Sequence, residues 1–222
     1  FMLEITYGIG HFTMDHQPVL SKGLNGIIRD ARVKLEGLDK ADKTGDKGLF
    51  YEALIRSLQA VNHFANRYAD LAESLAEKEK NPARAEELRR IARVCRKVPA
   101  DPAETFHEAV QAVYFIHLVA QIETGGNSVS LGRPDQILFP YFRSDLDAGR
   151  ITAEQARELV SLLLLKVNEI WNVLEEAYIP GGEGTEGKTT QNVTVGGLTE
   201  DGQDGTNVLS TIILDAYADI RT

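Results

Sequence analysis

The sequence predicts an α/β fold in which helix greatly predominates over strand. Apolar residues recur at helical spacing through most of the 222 residues, and only two short runs have the alternation or the β-branched composition typical of strands. One run lies at residues 1–12 and the other at residues 189–197. The predicted order of elements is therefore strand, several helices, strand and helix, which fits part of an α/β architecture.

The first half of the chain is predicted to contain one short strand followed by long helices. Apolar side chains alternate through residues 1–12 and lead into a glycine-spaced turn. Asp15 is expected to cap the next helix, which ends near Gly37. The charged, glycine-spaced residues 39–48 are expected to form a surface loop. Further helices are predicted over residues 49–75, over residues 83–96 after the Asn81-Pro82 interruption, and over residues 104–123.

The second half is predicted to contain shorter helices and the second strand. Thr152 and Gln155 stand in the spacing of a capping box, which predicts a helix start at that point. Residues 180–187 are rich in glycine but lack the Gly-Lys-Ser/Thr order of a phosphate-binding loop, so nucleotide binding is not expected. Helices are predicted over residues 136–146, 152–171 and 207–220, and a strand over residues 189–197.

The composition is that of a soluble cytoplasmic protein. The formal net charge is -9, and no basic cluster offers a surface for phosphates, so a nucleic-acid partner is not expected. The longest apolar run, Leu159 to Leu165, is already broken by Ser161 and is too short to span a membrane. The single cysteine, Cys95, excludes an internal disulfide, and no cysteine or histidine spacing indicates a metal site.

A polar segment bounded by glycines separates two apolar helical patterns between Thr124 and Phe142. Loops held between rigid elements often carry binding groups, so this segment is a candidate wall of an active site. In the alternative interpretation, Arg133 and Asp135 only pair across a turn and the serines cap it. Asn127, Ser128 and Ser130 offer hydrogen-bonding groups in the segment, and Arg133 and Asp135 flank Pro134.

Four stretches of the sequence carry a family resemblance: GIGHFTMDHQPVLSKGLNGII, ETFHEAVQAVYFIHLVAQIETGGNSVSLGRPDQILFPYF, ITAEQARELVSLLLLKVNEIW and TTQNVTVGGLTEDGQDGTNVLSTIILDA. Read in order, they resemble the glycyl radical enzymes of the pyruvate formate-lyase-like group. LGRPDQ and QNVTVGG are the most specific motifs. The form LGRPDQILFPYF is closer to the eliminating branch, which includes glycerol and diol dehydratases and choline lyase.

The resemblance implies a fold and an activity. Residues 1–222 would be a partial domain, truncated at both ends, of a ten-stranded α/β barrel wrapped by helices. The full-length protein would be a cytoplasmic homodimer of anaerobic metabolism that eliminates a group from a small polar substrate or cleaves it. Its protein-based glycyl radical would be installed by a radical-SAM activating enzyme, and no metal is expected in this chain.

The resemblance also implies roles for particular residues. His11 is similar to a histidine that hydrogen-bonds a substrate hydroxyl in the dehydratase branch. Asn127 and Ser128 are similar to a His-Ser pair of that branch, with asparagine in place of the histidine, which removes a group able to shuttle protons near neutral pH. Arg133 and Asp135 would support the substrate-binding residues by holding the loop through a charge-assisted pair. The radical glycine and the thiyl cysteine are not recognised in this segment, so the segment itself is expected to be inactive.

Other interpretations rest on individual residues. Glu123 is either a substrate carboxylate or a group that pairs at the helix end. Basic neighbours would lower the pKa of a reactive Cys95 thiol, whereas a buried Cys95 would behave as a small apolar residue. A redox or metal protein centred on Cys95 is therefore a weaker alternative, since His107 and His117 are expected to be hydrogen-bonded core residues. A noncatalytic helical scaffold or interaction protein of the same family is the main alternative to an enzyme.

Overall fold

The computed structural model describes residues 11–124, 128–170 and 191–220, in which helix predominates over strand as the sequence predicts. The chain divides into two units, which we call the helical unit, Asp15–Phe115, and the strand-bearing unit, Phe1–Met14 with Ile116–Thr222. The described elements are β1 (Phe12–Thr13), α1 (Gln17–Glu36), α2 (Lys40–Thr44), α3 (Asp46–Lys78), α4 (Pro82–Lys97), α5 (Phe106–Thr124), β2 (Val129–Ser130), α6 (Pro134–Ile137), α7 (Phe139–Asp147), α8 (Ala153–Asn168) and α9 (Val208–Ile220).

The long helix α3 organises the helical unit. It packs against α4 and α1, and its buried stripe consists of small residues at helical spacing. Small side chains let neighbouring helices approach closely, because little volume separates the two backbones. Two residues of the stripe, Ala65 and Ala69, form a core cluster with Cys95 and Phe115. The buried alanines of α3 are Ala65, Ala69, Ala72 and Ala76.

A kink in α1 depends on Gly23. This residue has a φ of 66°, and a Cβ atom built there would lie 2.4 Å from the Ala100 carbonyl oxygen. The close approach lets the backbone of residues 99–101 bond to the kink, where the Leu24 and Asn25 amides donate to the Pro99 and Ala100 carbonyls at 2.8 and 2.9 Å. Glycine is required because any side chain would meet this backbone and adopt an unfavourable φ.

Two helix starts read from the sequence are confirmed. The Asn81 side chain accepts hydrogen bonds from the backbone amides of Ala83 and Arg84, and Pro82 occupies the first turn of α4. Thr152 and Gln155 form the reciprocal bonds of a capping box at the start of α8. Such caps satisfy amides that the helix itself leaves without acceptors, and each is worth about 1 kcal/mol.

The structure corrects the prediction for residues 39–48. They were expected to form a loop, but α2 occupies Lys40–Thr44 and α3 begins at Asp46. The cause is a local cap, because the Asp39 carboxylate accepts a hydrogen bond from the Asp42 amide at 2.8 Å.

The starts of two other helices also differ from the predictions. The residue preceding α1 is His16 rather than Asp15, although the Asp15 carboxylate still accepts a hydrogen bond from the Gln17 amide at 3.2 Å. The helix predicted over residues 136–146 is two consecutive helices, α6 and α7, and the first of them already begins at Pro134.

In the strand-bearing unit, β1 and β2 are neighbouring parallel strands. Phe12 lies opposite Val129, and Thr13 lies opposite Ser130. Val129 is fully buried and Phe12 is partly buried. The pairing joins segments more than 100 residues apart, as parallel strands require a long connection.

Residues 192–194 run alongside the continuation of β2. The Leu131 amide donates to the Asn192 carbonyl at 3.1 Å, and the Thr194 amide donates to the Gly132 carbonyl at 2.8 Å. Val193 forms a parallel bridge with Gly132. The strand predicted over residues 189–197 is therefore reduced to this short contact within the described residues, and residues 131–132 lie on the path that leads from β2 to α6.

Some predictions fall on residues 1–10, 125–127 and 171–190, which lie outside the described residues. They include most of the first predicted strand and the glycine-rich run at residues 180–187, whereas the helix predicted over residues 152–171 already ends at Asn168. None of the helices in the described ranges combines the length and apolar character needed to cross a membrane.

Candidate functional site

The structure brings two of the predicted substrate-binding residues together. His11 comes directly before Phe12, and Ser128 comes directly before Val129, the strand partner of Phe12. Because β1 and β2 are parallel, the two residues lie at the same end of neighbouring strands. His11 is exposed, and Ser128 is partly buried. The third predicted residue, Asn127, lies outside the described residues.

The backbones of His11 and Ser128 share a conformation that non-glycine residues rarely adopt. Their φ angles are 59° and 56°, and within the described ranges no other residue except glycine has a positive φ. Such a conformation costs about 1–3 kcal/mol and persists only where the surroundings impose it, which is a recurrent feature of functional sites. The strain points to a role for both residues beyond chain connection.

Gly132 permits close packing at the opposite end of the two strands, where the chain leaves β2. It has a φ of 75°, and a Cβ atom there would lie 2.5 Å from the Thr13 methyl carbon. The Ser130 hydroxyl accepts a hydrogen bond from the Asn192 amide at 3.3 Å, which ties the third segment to the same strand. The Gly132–Thr13 contact and the Ser130–Asn192 hydrogen bond thus hold β2 and its continuation between β1 and residues 192–194.

Asp135 anchors residues 196–210 to the start of α6. Its side chain is fully buried, and its Oδ2 atom accepts hydrogen bonds from the Gly196 amide, at 2.7 Å, and from the Ser210 hydroxyl. Its backbone carbonyl accepts a further bond from the Asn207 side-chain amide at 3.1 Å. A buried carboxylate needs such donors, because it loses its hydration on folding.

Arg133 holds the same stretch of chain through a different contact. Its Nη1 donates to the Leu198 carbonyl at 2.9 Å. The guanidinium group also lies against two glycines, since a Cβ atom would be 2.8 Å from Nη2 at Gly205 and 3.5 Å from the group at Gly197. A planar cation can lie on peptide groups in this way only where side chains leave room.

The expected ion pair between Arg133 and Asp135 is therefore not formed. Each side chain binds the chain beyond residue 195 separately, Arg133 at Leu198 and Asp135 at Gly196 and Ser210. The two residues flank Pro134 at the start of α6, and each side chain forms its hydrogen bonds with residues that are distant in sequence instead of with the other. Both side chains hold the loops that follow β2 and residues 192–194.

A largely buried polar cluster, which the sequence patterns predicted only in part, contacts Val129, the residue that follows Ser128. It consists of His117, Gln121 and Gln191. His117 was expected to be a hydrogen-bonded core residue, which is confirmed, since its side chain is fully buried and its Nε2 lies 2.5 Å from Gln191 Oε1. The signal for Gln121 in the sequence was an amide four residues after His117, on the same face of α5.

The cluster reaches the backbone of β2 and of α8. Gln121 Nε2 donates to Gln191 Oε1 at 2.7 Å and to the Val129 carbonyl at 3.2 Å. Gln191 Nε2 donates to the Val167 carbonyl at 2.9 Å. Burial lowers the pKa of His117, and its hydrogen bond to Gln191 opposes this only in part. A neutral imidazole is therefore expected at neutral pH.

Cys95 is not placed for chemistry. It is buried in the core cluster of the helical unit beside Ala69 and Phe115, and burial raises the pKa of its thiol to about 11. The basic neighbours in the sequence therefore do not make it a thiolate near neutral pH. In the described ranges, no group of three or more His, Cys, Asp or Glu side chains is arranged to hold a metal ion.

Comparisons with known proteins point to one family. Residues 2–222 match the sequence model of the family described as Pyruvate formate lyase-like. The chain is 37% identical to (2S)-3-sulfopropanediol dehydratase of Klebsiella oxytoca over 96% of this chain and 26% of that protein. The chain thus spans about a quarter of the length of the curated relatives it matches.

Solved structures give the same picture. A structure that describes 1,2-propanediol dehydration in Roseburia inulinivorans superposes with a TM-score of 0.91 and 41% identity, covering 97% of this chain and 27% of that one. A glycyl radical enzyme from Archaeoglobus fulgidus superposes with a TM-score of 0.88 and 36% identity, covering 97% of this chain and 28% of that one.

Proposed function

We propose, from the premise that this chain belongs to the pyruvate formate lyase-like family, that it is a segment of a glycyl radical enzyme acting on a small polar substrate. The reaction is radical elimination or cleavage of a C–C or C–N bond, and this segment supplies part of the substrate pocket. The names of the relatives support this class, since they include a sulfopropanediol dehydratase and isethionate sulfite-lyases.

One observation carries the placement of the pocket: His11 and Ser128 lie at the same end of two paired parallel strands, and both have a left-handed backbone. This arrangement places a residue with an imidazole and a residue with a hydroxyl at the same end of the strand pair. Each can donate and accept hydrogen bonds, so together they suit a substrate hydroxyl or another polar leaving group. Their role in the reaction is to bind and orient that group.

Asn127 joins them as a third substrate-binding residue. A side-chain amide both donates and accepts hydrogen bonds but does not change protonation near neutral pH. It would therefore bind a polar group without accepting a proton from it. Arg133 and Asp135 support the pocket indirectly, because they fasten residues 196–210 to the chain that leaves β2.

The glycyl radical and a cysteine thiyl would supply abstraction of a hydrogen atom from the substrate. Cys95 does not fit the thiyl role, because it is buried in a core cluster with Ala65, Ala69 and Phe115 in the helical unit. No step is therefore assigned to it. The radical glycine and the reactive cysteine belong to other parts of the full-length protein.

The proposal extends to architecture and partners. Residues 1–222 form a partial domain in which β1, β2 and residues 192–194 contribute to the ten-stranded α/β barrel, an interpretation that their parallel pairing supports. The full-length protein is a cytoplasmic homodimer of anaerobic metabolism, and a radical-SAM activating enzyme installs its radical.

The deciding experiment uses the full-length protein with its activating enzyme under anaerobic conditions. Electron paramagnetic resonance would detect the glycyl radical, and product analysis would follow a screen of diols, choline, hydroxyproline, isethionate and 2-oxo acids. We expect a glycyl radical signal and turnover of one substrate class. Absence of both the radical glycine loop and the cysteine loop from the complete gene would overturn the proposal in favour of a noncatalytic scaffold.

A further inference from the structure

The hydrogen-bond distances assign the protons in the cluster of His117, Gln121 and Gln191. Gln191 Nε2 donates to the Val167 carbonyl, so its Oε1 atom faces the other two side chains as an acceptor. His117 Nε2 lies 2.5 Å from that oxygen and must therefore carry a proton. Nδ1 is then the unprotonated nitrogen of the ring.

The same assignment uses both amide protons of Gln121. One goes to Gln191 Oε1 at 2.7 Å, and the other goes to the Val129 carbonyl at 3.2 Å. The contact of 3.3 Å between Gln121 Nε2 and His117 Nε2 then joins two donors and is not a hydrogen bond. Each donor of the cluster has an acceptor, and the side chains of His117 and Gln121 are 0% and 2% exposed.

This arrangement fixes the orientation of the Gln121 amide. A reversed Gln121 amide would bring its oxygen against two other acceptors, Gln191 Oε1 and the Val129 carbonyl. His117 in turn donates to Gln191 Oε1 and keeps that oxygen in place. Buried amides do not tolerate two such acceptor contacts, and each missing hydrogen bond costs about 1–3 kcal/mol. The N–H group that meets Val129 is therefore held in one position.

We propose that Gln121 is a positioning residue for Ser128, acting through the Val129 carbonyl, with His117 and Gln191 fixing the amide of Gln121. Val129 is the residue that follows Ser128, and it is the only member of β2 whose carbonyl this cluster holds among the described residues. The bond restrains the backbone just after the left-handed Ser128. This inference rests on the proposed function, in which Ser128 binds the substrate.

The test is a double-mutant cycle in the full-length, anaerobically activated enzyme, with the substrate found in the screen described above. Gln121→Glu keeps the shape of the side chain but removes both amide donors. We expect it to raise KM about tenfold while the yield of glycyl radical stays unchanged. In a Ser128→Ala background, the same substitution should change KM by less than about twofold, because its effect passes through Ser128.

Two further variants control for folding and for chemistry. Asn62→Asp makes the same amide-to-carboxylate change at a part-buried hydrogen bond to Asn25 in the helical unit, and KM should stay unchanged. His117→Gln keeps a donor near the position of Nε2 and should preserve KM, whereas His117→Leu should raise it. If Gln121→Glu does not accumulate as folded protein, Gln121→Met replaces it, since methionine fills similar volume without a donor.

The outcomes separate the two levels of the inference. An equal effect of Gln121→Glu in the parent and in the Ser128→Ala background would overturn the positioning role and leave the proposed function intact. No effect of Ser128→Ala on KM or turnover would instead remove Ser128 from the substrate site. An unchanged KM in Gln121→Glu and Gln121→Met would likewise overturn the positioning role.

Discussion

His11 and Ser128 each stand one residue before a member of the Phe12–Val129 strand pair, and both have a positive φ. Two strained residues at the same end of neighbouring strands are rarely explained by chain connection alone, since glycine would serve that purpose at lower cost. The first two predictions concern this pair.

Removing either side chain should impair turnover and spare the radical. Ser128→Ala and His11→Ala each delete a hydrogen bond to the substrate, and we expect kcat/KM to fall about tenfold, equivalent to about 1.4 kcal/mol. Electron paramagnetic resonance of the activated full-length enzyme should show the parent's radical yield. Unchanged turnover in both variants would remove the pair from the site.

The strain at Ser128 can be measured by comparing two variants that both lack the hydroxyl. Ser128→Gly relieves the left-handed backbone, whereas Ser128→Ala retains it. We expect the glycine variant to be more stable by about 1 kcal/mol, so its Tm should be higher than that of the alanine variant. Equal Tm values in calorimetry would show that the conformation at Ser128 carries no strain.

The buried Asp135 should matter far more for stability than an exposed carboxylate. Asp135→Ala leaves the Gly196 amide and the Ser210 hydroxyl without their acceptor and should cost about 3 kcal/mol. Asp147→Ala breaks only an exposed ion pair with Arg143 and should cost less than about 0.5 kcal/mol. Thermal unfolding of the two variants gives the comparison, and similar losses would contradict the anchoring role.

Gly23 and Gly149 allow steric overlap to be separated from backbone strain. Both have a φ of 66°, but a Cβ atom at Gly23 would lie 2.4 Å from the Ala100 carbonyl oxygen, whereas nothing lies within 4 Å at Gly149. Gly149→Ala should cost about 1 kcal/mol from strain alone, and Gly23→Ala should cost at least about 2 kcal/mol more. Unfolding midpoints in urea would measure the difference, and equal losses would show that the backbone at Gly23 moves aside.

The stability of the fold should fall below about pH 6.5, in part because of His117. Burial holds the pKa of His117 below its ordinary value of 6.5, so the unfolded state binds a proton more readily in that range. By linkage, stability is fully present above the unfolded pKa and is lost as the pH falls below it. His107 is shifted in the same direction, chiefly by burial and then by Arg90.

His117→Gln provides the check on this pH dependence. The Tm of the parent minus the Tm of this variant should fall as the pH is lowered from about 7.5 to about 5.5. The reason is that only the parent loses stability through protonation of His117. The contribution of His107 is common to both proteins and cancels in the difference. Parallel curves would show that His117 does not contribute.

Local sequence patterns predicted the helical elements well because their causes are local. The alanine stripe of α3, the Asn81 cap and the capping box of Thr152 and Gln155 each depend on residues within a few positions of one another. The prediction was wrong at residues 39–48, where the charged, glycine-spaced composition indicated a loop. The Asp39 carboxylate instead caps the short helix α2.

The candidate site could be predicted only in part. Family resemblance singled out His11, Asn127 and Ser128, and the structure places His11 and Ser128 side by side. The family resemblance did not single out Gln121, because the role of an amide in a helix cannot be predicted until its hydrogen-bond acceptor is known. The Val129 carbonyl and the Gln191 side chain become its partners only after the chain has folded.

The sequence by itself thus determined the helical class, the capped starts of α4 and α8 and the family resemblance, all of which depend on local spacing or on motifs. Only the tertiary structure decided the partners of the buried polar groups: Asp135 bonds to residues 61 and 75 positions away, and His117 to one 74 positions away. The physical reason is that a buried polar side chain must find a donor or acceptor wherever packing places one. For that reason Arg133 and Asp135, two neighbours with opposite charges, bind distant parts of the chain rather than each other.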